Sequence, residues 1–222
     1  MKSPPLKASW SVYLIDDHPM MRGGLREFFS GWPEFTVCGE AATAAQALEE
    51  MESLNPNLVM LDLTLPDRSG VEVVKAIKVR GTSPRILVFS MHDEILYGER
   101  MIRAGAHGYL MKGAPPGQIR ESIDTVLAGE VYLSPAATRH LMSQFVVGKD
   151  GGVQSRREKL SDRELEVFQL LGEGLSAAEI ADRLHISIRT VDTHRTHIRK
   201  KLALSDSSAV FREAVIAAIL GR

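Results

Sequence analysis

The chain has almost no cysteine: Cys38 is the only one in 222 residues. A single thiol cannot close an intramolecular disulfide, so no disulfide framework is expected and a reducing compartment suits the chain. Cys38 sits in a short apolar-leaning run and reads as a small buried hydrophobe. Long apolar runs are also missing. Nothing approaches the ~18–20 residues that span a bilayer, and the first ten residues have no apolar h-region. We therefore expect no membrane partner and a cytoplasmic location. Charge of one sign is lacking too: 27 Lys/Arg stand against 28 Asp/Glu. An imbalance emerges only when the chain is divided. Residues 155–222 carry 12 basic and 10 acidic side chains, and residues 1–154 carry 15 and 18. That is a weak hint of two different tasks. The 44% apolar and 25% charged residues exclude disorder and coiled coil, and the length suits two domains.

Short apolar runs at 12–15, 36–38, 58–61, 86–89 and 108–110 are rich in Val, Ile, Leu and Phe and read as buried parallel strands. Helical patterns lie between them, marked by Met20, Leu25, Phe28 and Phe29, then by Ala44, Ala47, Leu48 and Met51. Val71, Val74 and Ile77 mark a third, Ile95, Met101 and Ile102 a fourth, and Ile119, Ile123, Val126 and Leu127 a fifth. Five strands alternating with five helices predict a doubly wound α/β sheet of flavodoxin-like type. A sixth helix is expected from Ser134 as N-cap with Pro135 at its first position. The Gly-rich, charged stretch from 148 to 159 reads as linker.

From Leu160 only helical signals remain. Ser161 with Glu164, and Ser176 with Glu179, are capping boxes. Ser187 opens a third helix reaching Leu202, and Ser205 is expected to cap a fourth through Val210, Phe211, Ala214 and Val215. Four short helices with a tight turn between the middle pair predict an all-α helix-turn-helix domain.

The chemistry gathers at strand ends. Strand one ends in Asp16 and Asp17, strand three in Asp62 and strand four in Ser90, and strand five runs into Lys112. Ligands of open α/β sheets bind at that edge. Three close carboxylates repel unless a cation joins them, and a hard divalent ion such as Mg²⁺ suits oxygen ligands. Asp62 could then act as a nucleophile on a phosphoryl group, with Lys112 as a second positive charge and Ser90 as a hydrogen-bond donor.

These residues carry a resemblance. Ile15-Asp16-Asp17-His18-Pro19, Leu61-Asp62-Leu63-Thr64-Leu65-Pro66 with Gly70, and Gly108-Tyr109-Leu110-Met111-Lys112 resemble response-regulator receiver motifs. The resemblance implies Asp62 as phosphoacceptor, and Mg²⁺ held by Asp16, Asp17, Asp62 and the Thr64 carbonyl. It makes Ser90 and Tyr109 a switch pair, with Tyr109 moving into space that Ser90 vacates, and Lys112 the conserved-type lysine. Two departures stand out: Met91 after Ser90, where a bulky thioether would narrow access, and Gly113-Ala114-Pro115 after Lys112, which puts the family's cis proline in doubt.

The helix opening at Ser187 has Val191, Ile198 and Leu202 at core spacing, and residues 187–203 hold five Arg/Lys against one Asp. That is the electrostatic footprint of a groove-binding helix. The segments around Leu160, Glu173-Gly174-Leu175-Ser176 and Thr190-Val191 resemble the LuxR-type helix-turn-helix, and with the receiver the chain resembles the NarL/FixJ family. That resemblance points Asp192, Thr193 and Thr196 at bases, and Thr190, Arg195, His197, Arg199 and Lys200 at phosphates. Asp192 departs from the usual basic residue. It either reads cytosine or pairs within the helix with Arg189 or Arg199. The implied organisation is a receiver at 10–128, a linker with one helix at 129–157 and a DNA-binding domain at 158–222. The implied function is a non-enzymatic, phosphorylation-controlled transcriptional regulator. Its partners would be double-stranded DNA, a sensor histidine kinase, a second copy on DNA, and RNA polymerase as a candidate. A phosphatase of haloacid dehalogenase type would need an Asp where Thr64 stands. An autoinducer-binding regulator would lack the Asp16, Asp17, Asp62, Lys112 set. A constitutive DNA-binding protein with a vestigial receiver is opposed by the complete five-residue site.

Overall fold

The computed structural model describes residues 9–80, 84–147 and 159–220. The chain falls into two compact units, Met1–His140 and Leu141–Arg222. The expected linker at 148–152 lies outside the described residues.

The first unit alternates strictly: β1 (Trp10–Ile15), α1 (Pro19–Ser30), β2 (Phe35–Ala41), α2 (Ala44–Leu54), β3 (Leu58–Leu61), α3 (Gly70–Val79), β4 (Arg85–Ser90), α4 (Glu94–Ala104), β5 (Gly108–Met111) and α5 (Pro116–Leu127). The strands form one parallel sheet in the order β2-β1-β3-β4-β5. The order reverses between β1 and β3, which places a ligand crevice beyond the carboxyl ends of those two strands. All four residues of β3 and most of β1 and β4 are buried, as strands covered on both faces require. Val12, Leu14, Phe29, Leu58, Leu87, Ile123 and Val126 join one core cluster. Burying each such side chain contributes about 1.5–3 kcal/mol.

Three expectations are corrected. Met20 is 89% exposed while Leu25 and Phe29 are buried. It lies five residues before Leu25, about 140° around the helix at 100° per residue. In α4 the buried stripe is Glu94, Tyr97, Gly98 and Met101, and Ile95 and Ile102 stand beside it. Cys38 is only half-buried, because β2 is an edge strand; its thiol donates to the Val12 carbonyl at 3.3 Å.

Helix α6 (Pro135–Val147) follows α5 and is capped by Ser134 as the sequence predicts: Ser134 Oγ accepts the Ala137 N–H at 3.2 Å. The second unit contains α7 (Asp162–Gly172), α8 (Ala177–Arg183), α9 (Ile188–Lys201) and α10 (Ser207–Leu220). Both capping boxes form. Ser187 caps α9, but Asp206, not Ser205, caps α10, accepting the Ala209 N–H at 2.8 Å. Leu165, Phe168, Ile180, Val191, Ile198, Leu202, Val210 and Ala214 make the small core. Gly172 lets α7 and α10 touch backbone to backbone: a Cβ there would lie 2.6 Å from the Ala214 carbonyl oxygen. Among the described residues of α10, Phe211, Ile216 and Ile219 are exposed and apolar, whereas Val210 is fully buried.

Candidate functional site

Parallel pairing carries one residue past each strand and aims the acidic site. The Asp16 N–H donates to the Ala41 carbonyl, the Asp62 N–H to Ile15, and the Lys112 N–H to Ser90, at 3.1, 2.8 and 2.9 Å. Each functional backbone is thus tied to the neighbouring strand before its side chain leaves the sheet. Gly70 opens α3 directly against this edge. A Cβ at Gly70 would lie 2.7 Å from Leu63 Cα and 3.2 Å from the Asp62 carbonyl oxygen, so no other residue fits without moving the loop.

Asp16 and Asp62 are buried, at 3% and 4% exposure. Between them lies the Lys112 ammonium, 2.7 Å from Asp16 Oδ2 and 2.6 Å from Asp62 Oδ2. Burial works to lower the Lys112 pKa, but the two carboxylates outweigh it and the ammonium is held above the ordinary lysine value. Asp17 is half-buried, and its Oδ1 lies 2.6 Å from His18 Nδ1. Ligand atoms of Asp16, Asp17, His18 and Asp62 all fall within 4.8 Å of one another. Asp62 Oδ1 is buried with no hydrogen-bond partner among the described residues. A hard oxygen set with an orphaned carboxylate oxygen fits a divalent cation. The structure therefore brings Asp16, Asp17, Asp62 and Lys112 together, and adds His18, which sequence reasoning had left as a motif letter. The Thr64 hydroxyl sits 2.9 Å from His92 Nε2.

Ser90 and Tyr109 are both fully buried. The Tyr109 hydroxyl donates to the His92 carbonyl at 2.9 Å. Burial raises its pKa well above the tyrosine value, Tyr97 and the Asp62 charge add to this, and a hydrogen bond with Ser90 opposes it. The Tyr109 ring is thus enclosed beside Ser90, with its hydroxyl held by the His92 carbonyl. Met91 is 72% exposed. No cis peptide occurs among the described residues, so the doubt over the proline step is resolved against it; Pro115 caps α5 in trans. His92 was missed from sequence, since a lone His after a strand carries no pattern.

The second unit presents the face of α9. Asp192, Thr193, Thr196, His197 and Lys200 are exposed, and Thr190, Arg195 and Arg199 are half-buried. Thr193 and Thr196 hydroxyls donate to the Arg189 and Asp192 carbonyls at 2.9 Å. The Thr190 hydroxyl lies 2.7 Å from that of Ser187. Asp192 pairs with Arg195, three residues on, at 3.2 Å, and not with Arg189 or Arg199. Under this helix lies Glu164, buried in α7. It accepts from Ser161 N–H at 2.7 Å and from Lys201 Nζ at 2.6 Å, with His197 Nδ1 at 3.6 Å. Burial works to raise its carboxyl, but Lys201 and Ser161 win and hold it below the usual glutamate value.

Comparison with known proteins bears on both units. Residues 12–124 match the response regulator receiver domain, and residues 158–214 match the bacterial regulatory proteins of the luxR family. The chain is 36% identical to the nitrate/nitrite response regulator protein NarL of Escherichia coli over 196 residues, covering 87% of this chain and 89% of that protein. It is 34% identical to the transcriptional activator protein ExaE of Pseudomonas putida, covering 94% and 97%. RcsB of Salmonella enterica, solved bound to promoter rprA with phosphomimetic BeF₃⁻, shares the fold with a TM-score of 0.66 at 23% identity, over 92% of this chain and 97% of that one.

Proposed function

This chain belongs to the response regulators that join a receiver domain to a LuxR-type DNA-binding domain, and we propose that Asp62 is its phosphoacceptor. The family is one of transcriptional regulators, and we assign the chain no turnover chemistry. We place the receiver at 10–128, a linker with one helix at 129–157 and the DNA-binding domain at 158–222. The reading is carried by the Asp62 carboxylate, which gives one oxygen to Lys112 and keeps the other free.

A carboxylate oxygen of Asp62 attacks phosphorus of a sensor kinase's phosphohistidine. The oxygen–phosphorus bond forms, the phosphorus–nitrogen bond breaks, and the departing imidazole takes up a proton from solvent. Asp16, Asp17, Asp62 and the Thr64 carbonyl would hold Mg²⁺, which supplies neutralisation of charge on the phosphoryl oxygens. Lys112 holds Asp62 in place and offers positive charge to the incoming group. The Ser90 hydroxyl moves to donate to a phosphoryl oxygen, and Tyr109 follows into the space it vacates. In the DNA-binding domain, α9 enters the major groove with Asp192, Thr193 and Thr196 toward bases. Thr190, Arg195, His197, Arg199 and Lys200 face phosphates. The exposed Phe211, Ile216 and Ile219 of α10 support a dimer on two half-sites. RNA polymerase is the candidate downstream partner, and the cytoplasm the location.

The test is gel-shift binding to a genomic DNA pool, with and without acetyl phosphate and Mg²⁺, for wild type and Asp62→Asn. Tighter wild-type binding to selected fragments, with no change in Asp62→Asn, supports the reading. Equal binding by both proteins in both conditions removes control through Asp62.

A further inference from the structure

We propose that His92 and Glu94 are positioning residues that carry the state of Asp62 through the start of α4 to the start of α6. The inference rests on Asp62 being the phosphoacceptor.

His92 touches the acidic site at three points. Its N–H donates to Ser90 Oγ at 3.4 Å, its carbonyl accepts from the Tyr109 hydroxyl at 2.9 Å, and its Nε2 lies 2.9 Å from the Thr64 hydroxyl. On the other side its ring packs on Tyr97 of α4, centroids 5.2 Å apart at 36°. One residue thus joins both members of the switch pair, the loop after Asp62 and the buried face of α4. The next residue, Asp93, is the α4 N-cap, accepting the Ile95 N–H at 2.8 Å. The peptide unit is rigid and its Cα spacing fixed, so a translation of the His92–Asp93 peptide carries that cap with it.

Glu94 follows at once. It is 6% exposed, and a buried carboxylate is costly unless it is met by donors. It is met by Ser134, forty residues along the chain: the Ser134 N–H donates to Glu94 Oε1 at 2.7 Å, and the Ser134 side chain also bonds it. Leu133 packs over Gly98 one turn further along α4. Ser134 is the residue that starts α6, with its hydroxyl on the Ala137 N–H and its carbonyl on the Thr138 N–H at 2.9 Å. Helix α6 follows the receiver's last helix and precedes the DNA-binding domain in chain order. An acidic residue in a first turn already suits the helix dipole when exposed. The burial of Glu94 and its grip on another segment go beyond that need. When Ser90 turns its hydroxyl onto a phosphoryl oxygen, the Oγ that accepts from the His92 N–H moves with it. The nearest mechanical consequence runs through Asp93 and Glu94 to the cap of α6.

The experiment uses the full chain and DNA fragments selected by the wild type. Two quantities are read for wild type, His92→Ala, Glu94→Ala and Glu94→Gln: the extent of phosphorylation by acetyl phosphate with Mg²⁺, from phosphate-affinity gel mobility, and the phosphodonor-dependent gain in DNA affinity. With a wild-type gain of about tenfold, within the usual range of allosteric coupling, Glu94→Ala should be phosphorylated normally yet gain less than about twofold, and His92→Ala should lose the gain in the fraction that is phosphorylated. Glu94→Gln, whose amide oxygen still accepts from Ser134, should recover most of the gain. The proposal is overturned if Glu94→Ala keeps the wild-type gain, if Glu94→Gln falls as far as Glu94→Ala, if Glu94→Ala loses phosphorylation, or if phosphorylated His92→Ala keeps the wild-type gain. A wild type that shows no gain overturns the phosphoacceptor reading itself, a result distinct from wild type and Glu94→Ala gaining equally.

Discussion

The Lys112 ammonium lies 2.6 Å from Asp62 and 2.7 Å from Asp16, so one buried cation serves two buried carboxylates. The charge balance of the pocket is therefore one short, before Asp17 is counted. That deficit gives a divalent cation a reason to bind, and it makes Lys112 structural as well as functional.

Removing the cation alone should be costly. Lys112→Met leaves Asp16 and Asp62 buried without it, and breaking such an arrangement costs about 3–5 kcal/mol. Urea unfolding in chelator, followed by tryptophan fluorescence, should show that loss, because both tryptophans, Trp10 and Trp32, lie in the receiver. Mg²⁺ should restore more stability to the variant than it adds to the wild type, since the carboxylates then lack any other counter-charge. A variant as stable as wild type in chelator, or indifferent to Mg²⁺, contradicts this account.

His107 should make receiver stability depend on pH. Burial, aided by the charges of Lys78 and Arg85, pushes its pKa down from 6.5 to about 4. Its Nδ1 accepts the Ile86 N–H at 3.0 Å, a bond that only the neutral ring can make. Between the two pKa values the unfolded chain binds the proton and the folded chain does not. The stability contribution is thus complete above pH 6.5 and is lost as pH falls toward 4. For a half-buried ring, discounted for solvent, the loss is about 1–2 kcal/mol. His107→Asn keeps an acceptor for Ile86 without the titration. The difference in urea midpoint between wild type and variant should narrow or reverse as pH drops from 7 to 4.5; a difference independent of pH counts against the assignment.

Glu164 should hold α9 to its base. Glu164→Ala strips an acceptor from Ser161 N–H and from Lys201. The cost is about 1–3 kcal/mol for polar groups left without partners. No tryptophan lies beyond Trp32, so the transition followed by helical circular dichroism should move to lower urea while the tryptophan transition holds. Equal movement of both transitions, or of neither, rules the prediction out.

Much of this was legible from local pattern. Strand runs at 58–61 and 108–110 carry apolar residues without interruption because both faces of the sheet are covered. Ser161-x-x-Glu164 and Ser176-x-x-Glu179 reach only three residues, so the capping boxes could be read directly. The acidic set was legible because strand ends in such a sheet converge on one edge. Errors fell where one residue's local role hid a longer reach. Glu164 reads as an N3 cap, yet the same carboxylate holds Lys201, 37 positions away. Ser205 and Asp206 are equivalent by cap preference, and only backbone geometry selects Asp206. Asp192 had three arginines within reach on one helix, and Arg195 was the one not named.

The sequence by itself determined the alternation of elements, the caps, and the residue types offered at the sheet edge, because periodicity and capping act within a few residues. Tertiary structure alone decided which Asp62 oxygen meets Lys112, that Tyr109 lies buried with its hydroxyl on His92, and that Glu94 reaches Ser134. Those contacts join residues 17 to 50 positions apart. Their distances follow from how helices and strands pack, and a one-dimensional pattern does not carry that information.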